Sequence, residues 1–284
     1  MTTIDKRQFG PWALITGASS GIGREFARQI AASDINVVLV ARRETLLKEI
    51  GAELTEEFRV EHRVIAADLS EDGSVKSVES ATADLDIGLI VSNAGTGNPG
   101  RFLSANRDDL AALLRLNTLA HLDIACRFCP KLASRKRGGI LFLGAMGAEI
   151  GIPFMANDAA AKAYVQSFAK ALHVELKPLG VHVTVLPPGP TDTPVLAKFG
   201  LTPESMPMKP MKVEQCVSEG LKALQGNRSM IIPGRMNRIM NAIIPAFITR
   251  AMVAKMFTKA LANKSTAPHT QAEFARKHAD QLRY

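Results

Sequence analysis

A chain of 284 residues with 46% hydrophobic and 22% charged residues can bury a large core, which excludes an intrinsically disordered protein. Its three cysteines, Cys126, Cys129 and Cys216, are too few and too unevenly spaced for a secreted disulfide framework, and we expect no metal site. The net charge of +8 lies in residues 228–284, which hold ten Lys and Arg against two acids, whereas residues 1–227 hold 25 of each sign. Because the basic excess belongs to the C-terminal region alone, we expect no nucleic-acid partner.

The N-terminal stretch MTTIDKRQFG contains no apolar run, so we expect no signal peptide. No segment offers about twenty uninterrupted apolar residues, the length that a membrane span needs. The sequence therefore predicts a cytoplasmic protein.

Short apolar runs alternate with longer helical patterns from the first strand onward. The runs are rich in β-branched residues and bounded by turn residues, as buried parallel strands are. They cover 12–17, 36–41, 63–68, 87–93, 139–144, 181–186 and 229–234, and the helical patterns between them include 20–33, 44–58, 107–132 and 158–179. This alternation predicts an α/β fold, a Rossmann-type doubly wound parallel sheet of about seven strands in a single domain, 1–284.

Within that domain the sequence predicts three regions. Residues 10–195 form the predicted cofactor-binding and active-site core. Residues 190–228 contain the Pro- and Met-rich stretch LTPESMPMKPMK and form a predicted substrate cover. Residues 235–284 form a basic, amphipathic C-terminal extension.

A glycine-rich turn joins the first strand to the first helix. Gly17, Gly21 and Gly23 in the stretch ITGASSGIG allow a tight turn and a close backbone approach to a pyrophosphate. The helix that begins there presents free N–H groups to an anion. A glycine turn at this position predicts a dinucleotide site.

The end of the second strand indicates which dinucleotide binds. Folds that bind NAD place an acid there, which bonds the 2′-hydroxyl of the ribose. This chain has Arg42 and Arg43 instead. Because a guanidinium group pairs with phosphate, the sequence predicts NADP(H), although two arginines solvated at a helix start would look the same.

On several ordered motifs, the chain resembles the short-chain dehydrogenase/reductase family over about residues 10–195. The matching stretches are Thr16-Gly17-x-x-x-Gly21-Ile22-Gly23, Asp68 in AADLS, Ser92–Gly95 in place of N-N-A-G, Asn117 in RLNTLAH, and PPGPTDTP at 187–194. The resemblance implies that Asp68 contacts the adenine and that the threonines of 187–194 hold the nicotinamide amide. The predicted cofactor-binding residues are Gly17, Ser19, Ser20, Gly21, Ile22, Gly23, Arg42, Arg43, Asp68, Asn93, Ala94, Gly95, Lys162, Pro188, Gly189, Thr191 and Thr193.

The catalytic residues depart from the family pattern. The resemblance implies an Asn, a Ser, a Tyr that donates a proton to the carbonyl oxygen, and a Lys that lowers the pKa of that Tyr. Asn117 and Lys162 are present, but the Tyr position of Y-x-x-x-K holds Asp158 and the Ser position holds Ala145. Tyr164 does not replace the missing Tyr, because it lies two residues beyond Lys162 on another face of the helix. We therefore place Asp158, Lys162, Asn117 and the Ala145 position at the predicted catalytic centre.

These changes leave several functions open. An ionised carboxylate cannot protonate a ketone, and losing a general acid typically costs about 10²–10⁴ in rate. A carboxylate would stabilise a protonated imine, so one hypothesis is an NADPH-dependent reductase of C=N bonds. A second is a silenced or engineered variant of a carbonyl or 3-oxoacyl reductase, and a third is a non-redox or non-catalytic NADPH-binding protein. A simpler, non-catalytic alternative for Asp158 alone is that it is the N-cap of an Ala-rich helix.

The C-terminal extension is predicted to form an amphipathic basic helix after Pro245. The alternatives for it are a helix packed on the body or on a second subunit, a membrane-surface contact, and an acyl-carrier contact. The Met-rich apolar surface predicts a small-molecule substrate that is large and apolar. By the family resemblance we expect a homodimer or homotetramer whose interface uses the helices at 107–132 and 158–179.

Overall fold

One parallel sheet lies at the centre of the computed structural model, which describes residues 4–199 and 209–265. Within these ranges the sheet has six strands, β1 (Trp12–Thr16), β2 (Asn36–Ala41), β3 (His62–Ala66), β4 (Ile87–Ser92), β5 (Gly139–Leu143) and β6 (His182–Leu186). Their order is β3-β2-β1-β4-β5-β6. The predicted doubly wound α/β fold is confirmed.

Helices connect the strands and extend beyond the last one. Their bounds are α1 Lys6–Phe9, α2 Gly21–Ala31, α3 Glu44–Phe58, α4 Ser74–Ser80, α5 Arg107–Leu114, α6 Ala120–Arg135, α7 Ala156–Leu176, α8 Pro194–Lys198, α9 Val213–Gln225, α10 Arg235–Ile243 and α11 Ala246–Ser265. A π-helical turn at Arg115–Leu119 joins α5 to α6. Short 3₁₀ turns occur at Phe102–Ser104, Ala148–Ile150 and Lys177–Leu179.

Helices cover both faces of the sheet, and successive strand side chains point to opposite faces, so both sets of side chains are buried. Leu39 of β2 packs in one core with α2, α3 and α9, whereas its neighbours Val38 and Val40 pack in a second core with α4, α6 and α7. This three-layer arrangement explains why the strands are apolar at consecutive positions.

The predicted strand at 229–234 is only a short extension of the sheet. The β6 residue Val185 donates its N–H to the carbonyl of Ser229 at 2.9 Å and accepts from the N–H of Ile231 at 3.2 Å, which leaves a single bridge opposite Met230. Pro233 has no N–H with which to continue the pairing.

The predicted cover at 190–228 divides into different parts. Residues 213–225 are not a cover but a core helix, α9, because Val217, Leu221 and Leu224 share one face and are fully buried. Gln29 of α2 fixes α9 by donating to the carbonyl of Glu214 at 2.9 Å. Most of the Pro- and Met-rich part, 200–208, lies outside the described residues, as does 266–284 of the C-terminal extension.

Candidate active site

The loops after β1 and β4 meet at the carboxyl end of the sheet. The Thr16 hydroxyl accepts hydrogen bonds from the backbone N–H groups of Asn93 and Ala94, both at 2.9 Å. The Asn93 side chain donates in turn to the Thr16 carbonyl at 2.8 Å. Ligands of doubly wound sheets bind in the crevice at such a point, where the strand order reverses. Every residue predicted above to bind the cofactor or to act in catalysis lines a cavity of about 1170 Å³ at this crevice.

The glycine turn after β1 admits no side chain. Gly17 has a φ of +67°, and a Cβ there would lie 2.7 Å from Nδ2 of Asn93. A Cβ at Gly23 would overlap the carbonyl group of Gly17. Helix α2 begins at Gly21, and the side chain of its N-cap, Ser20, makes no capping hydrogen bond. The first N–H groups of α2 therefore face the cavity without a side-chain acceptor, an arrangement that fits a phosphate.

The two arginines after β2 stand beside this turn. Nη2 of Arg43 donates to Oγ of Ser19 at 3.0 Å. Nη1 of Arg42 lies 3.6 Å from Oδ2 of Asp68. Burial raises the pKa of Asp68, but hydrogen bonds from Ser70 and the charge of Arg42 outweigh it and lower the pKa overall. Two cationic groups thus flank the crevice next to an ionised carboxylate, and this donor set fits a dinucleotide with a 2′-phosphate.

Asn117 lies on the π-helical turn between α5 and α6, a feature that often marks functional sites. Its side chain is fully buried and pairs with the backbone of Thr96, accepting from the N–H at 2.9 Å and donating to the carbonyl at 2.7 Å. Asn117 therefore positions the loop after β4 at the edge of the crevice.

Lys162 extends from α7 toward the end of β5. Its Nζ donates to the carbonyl of Leu143 at 2.9 Å. Burial lowers the pKa of Lys162 to about 8, and the charge of Asp158 opposes this shift. Lys162 and Asp158 thus line the same cavity, and the pKa of the ammonium group is about 8.

Asp158 is the third residue of α7, not its cap. The helix begins at Ala156 and its N-cap is Met155, so the capping interpretation of Asp158 is wrong. The Asp158 side chain is buried, and Oδ1 accepts from the N–H of Asn98 at 3.0 Å. Burial raises its pKa more than this hydrogen bond and the charge of Lys162 lower it. A carboxyl group with a raised pKa in a cavity can hold a proton or balance a cation.

Ala145 contributes only a methyl group to the cavity. Its backbone N–H donates to Oε1 of Gln166 at 2.9 Å, and the N–H of Met146 donates to the carbonyl of Pro188 at 2.9 Å. The backbone after β5 is therefore fixed in place, while its side chain offers no hydroxyl to a substrate.

Sequence reasoning missed two polar contacts near the crevice, one of them buried and the other exposed. Oγ of Ser92 lies 2.6 Å from Nδ1 of the fully buried His121, and burial holds the pKa of His121 well below its usual range. Lys198 of α8 donates to Oγ1 of Thr96 at 2.7 Å. No local sequence pattern pairs Ser92 with His121, because the two residues are 29 positions apart.

Helices α10 and α11 close the apolar side of the cavity. This packing agrees with one of the alternatives predicted for the C-terminal extension, a helix packed on the body with an apolar surface suited to a large apolar substrate. Phe257 of α11 is buried, and Val253 and Met256 accompany it against Phe154 and Phe199. The apolar lining includes Met146, Ile150, Ile152, Met155, Val195, Leu196, Phe199, Met240, Ile244, Met252, Val253, Met256 and Phe257. The cavity thus joins a polar dinucleotide crevice to a wide apolar chamber.

Comparison with known proteins places this site among oxidoreductases. The family model described as short chain dehydrogenase matches residues 11–203. A very-long-chain 3-oxoacyl-CoA reductase of Meyerozyma guilliermondii is 38% identical over 188 residues, which are 62% of this chain and 55% of that protein. The chain thus spans about half the length of the curated 3-oxoacyl-CoA reductases that it matches.

Two further relatives cover most of the chain. A 7beta-hydroxysteroid dehydrogenase of Collinsella aerofaciens is 30% identical over 236 residues, which are 82% of this chain and 89% of that protein. The solved structure of a short-chain dehydrogenase from Sphingobium yanoikuyae in complex with NADPH aligns with a TM-score of 0.75 and 29% identity over 82% of this chain and 93% of that one.

Proposed function

Because this chain belongs to the short-chain dehydrogenase family of oxidoreductases, we propose that it uses NADP(H) to reduce an apolar substrate at a C=N bond. The observation that carries the proposal is the buried carboxyl group of Asp158, which lines the cavity at the position where the family resemblance implies a proton donor.

The cofactor would occupy the polar crevice. The turn from Gly17 to Gly23 and the start of α2 would hold the pyrophosphate, and Arg42 and Arg43 would pair with the 2′-phosphate. When bound there, NADPH supplies a hydride to the substrate. The NADPH complex of the Sphingobium yanoikuyae relative supports this assignment.

The substrate would occupy the apolar chamber under α10 and α11. Its walls are methionine, isoleucine and phenylalanine side chains, which favour a large hydrocarbon body over a sugar or another polar metabolite. The 3-oxoacyl-CoA and steroid relatives act on molecules with large apolar parts, as their names state.

Asp158 favours nitrogen over oxygen at the reacting centre. A ketone oxygen is too weakly basic to take a full proton from a carboxyl group before hydride arrives, so its reduction develops alkoxide charge that Ala145 cannot hydrogen-bond. An imine can instead take a proton from the Asp158 carboxyl group, forming an iminium ion beside a carboxylate. Hydride then adds to the carbon, the C=N π electrons become the nitrogen lone pair, and a neutral amine leaves. Water returns a proton to Asp158.

Lys162 adjusts the proton balance of this step. Its ammonium group lowers the pKa of Asp158, and Asp158 raises that of Lys162. Protonated Lys162 would therefore favour the carboxylate once the proton has moved to the substrate.

A second candidate is reduction of a 3-oxoacyl carbonyl with protonated Asp158 as the acid. It is favoured by the raised pKa of Asp158 and by the 38% identical 3-oxoacyl-CoA reductase. Carbonyl reduction would then fall as the pH rises through the pKa of Asp158, because only the protonated group can donate.

The test compares the protein with Asp158→Asn and with the double variant Asp158→Tyr/Ala145→Ser. NADPH binding is first measured by calorimetry, and NADPH oxidation is then followed with bulky cyclic imines and bulky ketones. We expect imine turnover by the protein and a loss of about 10²–10⁴ in Asp158→Asn at unchanged NADPH affinity. The double variant should gain ketone turnover.

Other outcomes separate the alternatives. Ketone turnover by the unchanged protein at low pH, lost in Asp158→Asn, would establish carbonyl reduction in its place. Ketone turnover by the double variant alone would identify a silenced carbonyl reductase. Tight NADPH binding without turnover by any of the three proteins would refute both reductase candidates.

A further inference from the structure

Large apolar side chains are exposed where α10 turns into α11. We call this set the elbow surface; it comprises Met236, Ile239, Ile243, Phe247 and Ile248. Ile243 retains 71% of its accessible surface and Phe247 retains 67%. Exposed apolar groups that adjoin in this way mark interaction sites more often than scattered single residues do.

The elbow surface is the outer side of helices whose inner side is already used. Met236, Ile239 and Ile243 follow one another at helical spacing along α10. On the inner side Met240 and Ile244 line the cavity, and Phe257 of α11 is buried. The core of the protein therefore accounts for one side of this helix pair and leaves the other side bare.

Charge distinguishes this region from the rest of the chain. Residues 235–265 contain six Lys and Arg and no Asp or Glu, and the basic residues are Arg235, Arg238, Arg250, Lys255, Lys259 and Lys264. Arg238 is paired with Glu219 at 2.7 Å. Arg250, Lys255 and Lys259 are exposed on α11, where Lys255 and Lys259 also contribute to the cavity lining. The occupant of an apolar surface with this charge should itself be anionic.

A straight membrane span does not fit the bend. No single described helix is long and apolar enough to cross a membrane; α10 and α11 pass by length and composition only as a pair, and that pair is bent by 115°. A second copy of the chain fits poorly as well. A two-fold interface would bring the same basic residues of both copies together without a single acid from this segment.

We infer that the elbow surface docks on the face of an anionic phospholipid bilayer. Apolar side chains would enter the boundary between headgroups and acyl chains, while Arg250, Lys255 and Lys259 would meet the phosphates. The helices would lie on the membrane and not cross it. This inference does not depend on the reaction proposed above.

The experiment is flotation of the full chain with phospholipid vesicles. Vesicles of phosphatidylcholine alone are compared with vesicles that also contain phosphatidylglycerol. We expect binding to the anionic vesicles and little to the neutral ones, with a loss of about fivefold for each of Arg250→Gln and Lys255→Gln. The double variant Ile243→Asp/Phe247→Asp should lose binding altogether.

Matched controls distinguish binding by the elbow surface from nonspecific binding by any exposed apolar residue. Leu103 and Val174 are also exposed apolar residues, at 98% and 70%, and lie outside α10 and α11. Leu103→Asp/Val174→Asp adds the same charge and should bind like the unchanged protein. Equal loss in this control, or equal binding to neutral and anionic vesicles, would overturn the inference.

Sedimentation equilibrium tests the competing occupant. If the unchanged protein does not float but self-associates, and Ile243→Asp/Phe247→Asp makes it monomeric, the elbow surface is a subunit interface and the inference is wrong. Circular dichroism of each variant, compared with the unchanged protein, checks that the fold is retained.

Discussion

Replacement of Lys162 by Met should make the protein more stable near neutral pH. The Lys162 ammonium group is partly buried, and its pKa falls from 10.5 to about 8. This shift means that burial of the charged lysine lowers the free energy of unfolding by about 3 kcal/mol. The variant also loses the hydrogen bond from Nζ to the Leu143 carbonyl, which should destabilise it by about 1 kcal/mol. The expected net gain in the free energy of unfolding is therefore about 2 kcal/mol at pH 7 for Lys162→Met.

The sign of the pH dependence follows from the same pKa. Below about pH 8 the lysine is charged in both the folded and the unfolded chain, and its burial cost is present in full. As the pH rises from there toward 10.5, the usual pKa of an unfolded lysine, the folded protein loses its proton first and the free energy of unfolding rises. The advantage of Lys162→Met should therefore shrink over this interval.

Urea denaturation at pH 7 and at pH 10.5 measures both effects. Lys170→Met is the control, since Lys170 lies two turns further along α7 and pairs with Glu149 at 2.7 Å near the surface. This control should change the free energy of unfolding by about 1 kcal/mol or less at either pH. If Lys162→Met is no more stable than the unchanged protein at pH 7, and the difference does not vary with pH, the reasoning from a buried ammonium is refuted.

Three further predictions concern the crevice and the chamber. Arg42→Ala should weaken NADPH binding by about tenfold or more and leave NADH binding nearly unchanged in calorimetry, because a charge-assisted bond to the 2′-phosphate is lost; equal loss for both cofactors would contradict this role. Gly23→Ala should abolish NADPH binding, since its Cβ would overlap a neighbouring carbonyl group, whereas Gly100→Ala, with nothing within 4 Å of its Cβ, should bind normally. Phe257→Ala should cost about 3 kcal/mol or more of stability and expose α11 to early cleavage in limited proteolysis; Phe247→Ala, at a site with 67% exposure, should change neither, and similar behaviour of the two variants would show that α11 is not anchored by Phe257.

The strands of the sheet could be predicted well because burial on both faces produces continuous apolar runs in the sequence. The strand at 36–41 and the helix at 44–58 have the predicted bounds, since continuous apolar runs and helical spacing are local properties. The last strand was overpredicted because SMIIPG is apolar and β-branched, but Pro233 and a single bridge to β6 limit its pairing. Propensity identifies residues that could pair, not how many backbone groups find partners.

The site was predictable wherever its residues follow strands. The glycine turn, Arg42, Asp68 and Asn93 all come after the carboxyl ends of parallel strands, so topology alone brings them to one crevice. The family resemblance drawn from these motifs is confirmed by the match over residues 11–203. The position of α11 over the chamber could not be inferred in this way, because an amphipathic pattern gives the buried face of a helix but not the surface it covers. The contact between Ser92 and His121 joins residues 29 positions apart, and no local pattern indicates it.

The π-helical turn at Arg115–Leu119 makes the geometry of the crevice depend on chain length as well as on side-chain chemistry. A π turn accommodates one residue more than an α turn, so the faces of α5 and α6 are offset by about 100° relative to an unbroken helix. Removing one residue other than Asn117 from this turn would restore the α-helical register. That deletion would swing Asn117 away from the backbone of Thr96, although no residue type at the crevice had changed. In this protein a single-residue deletion in a helix should therefore be as damaging as a substitution of Asn117 itself.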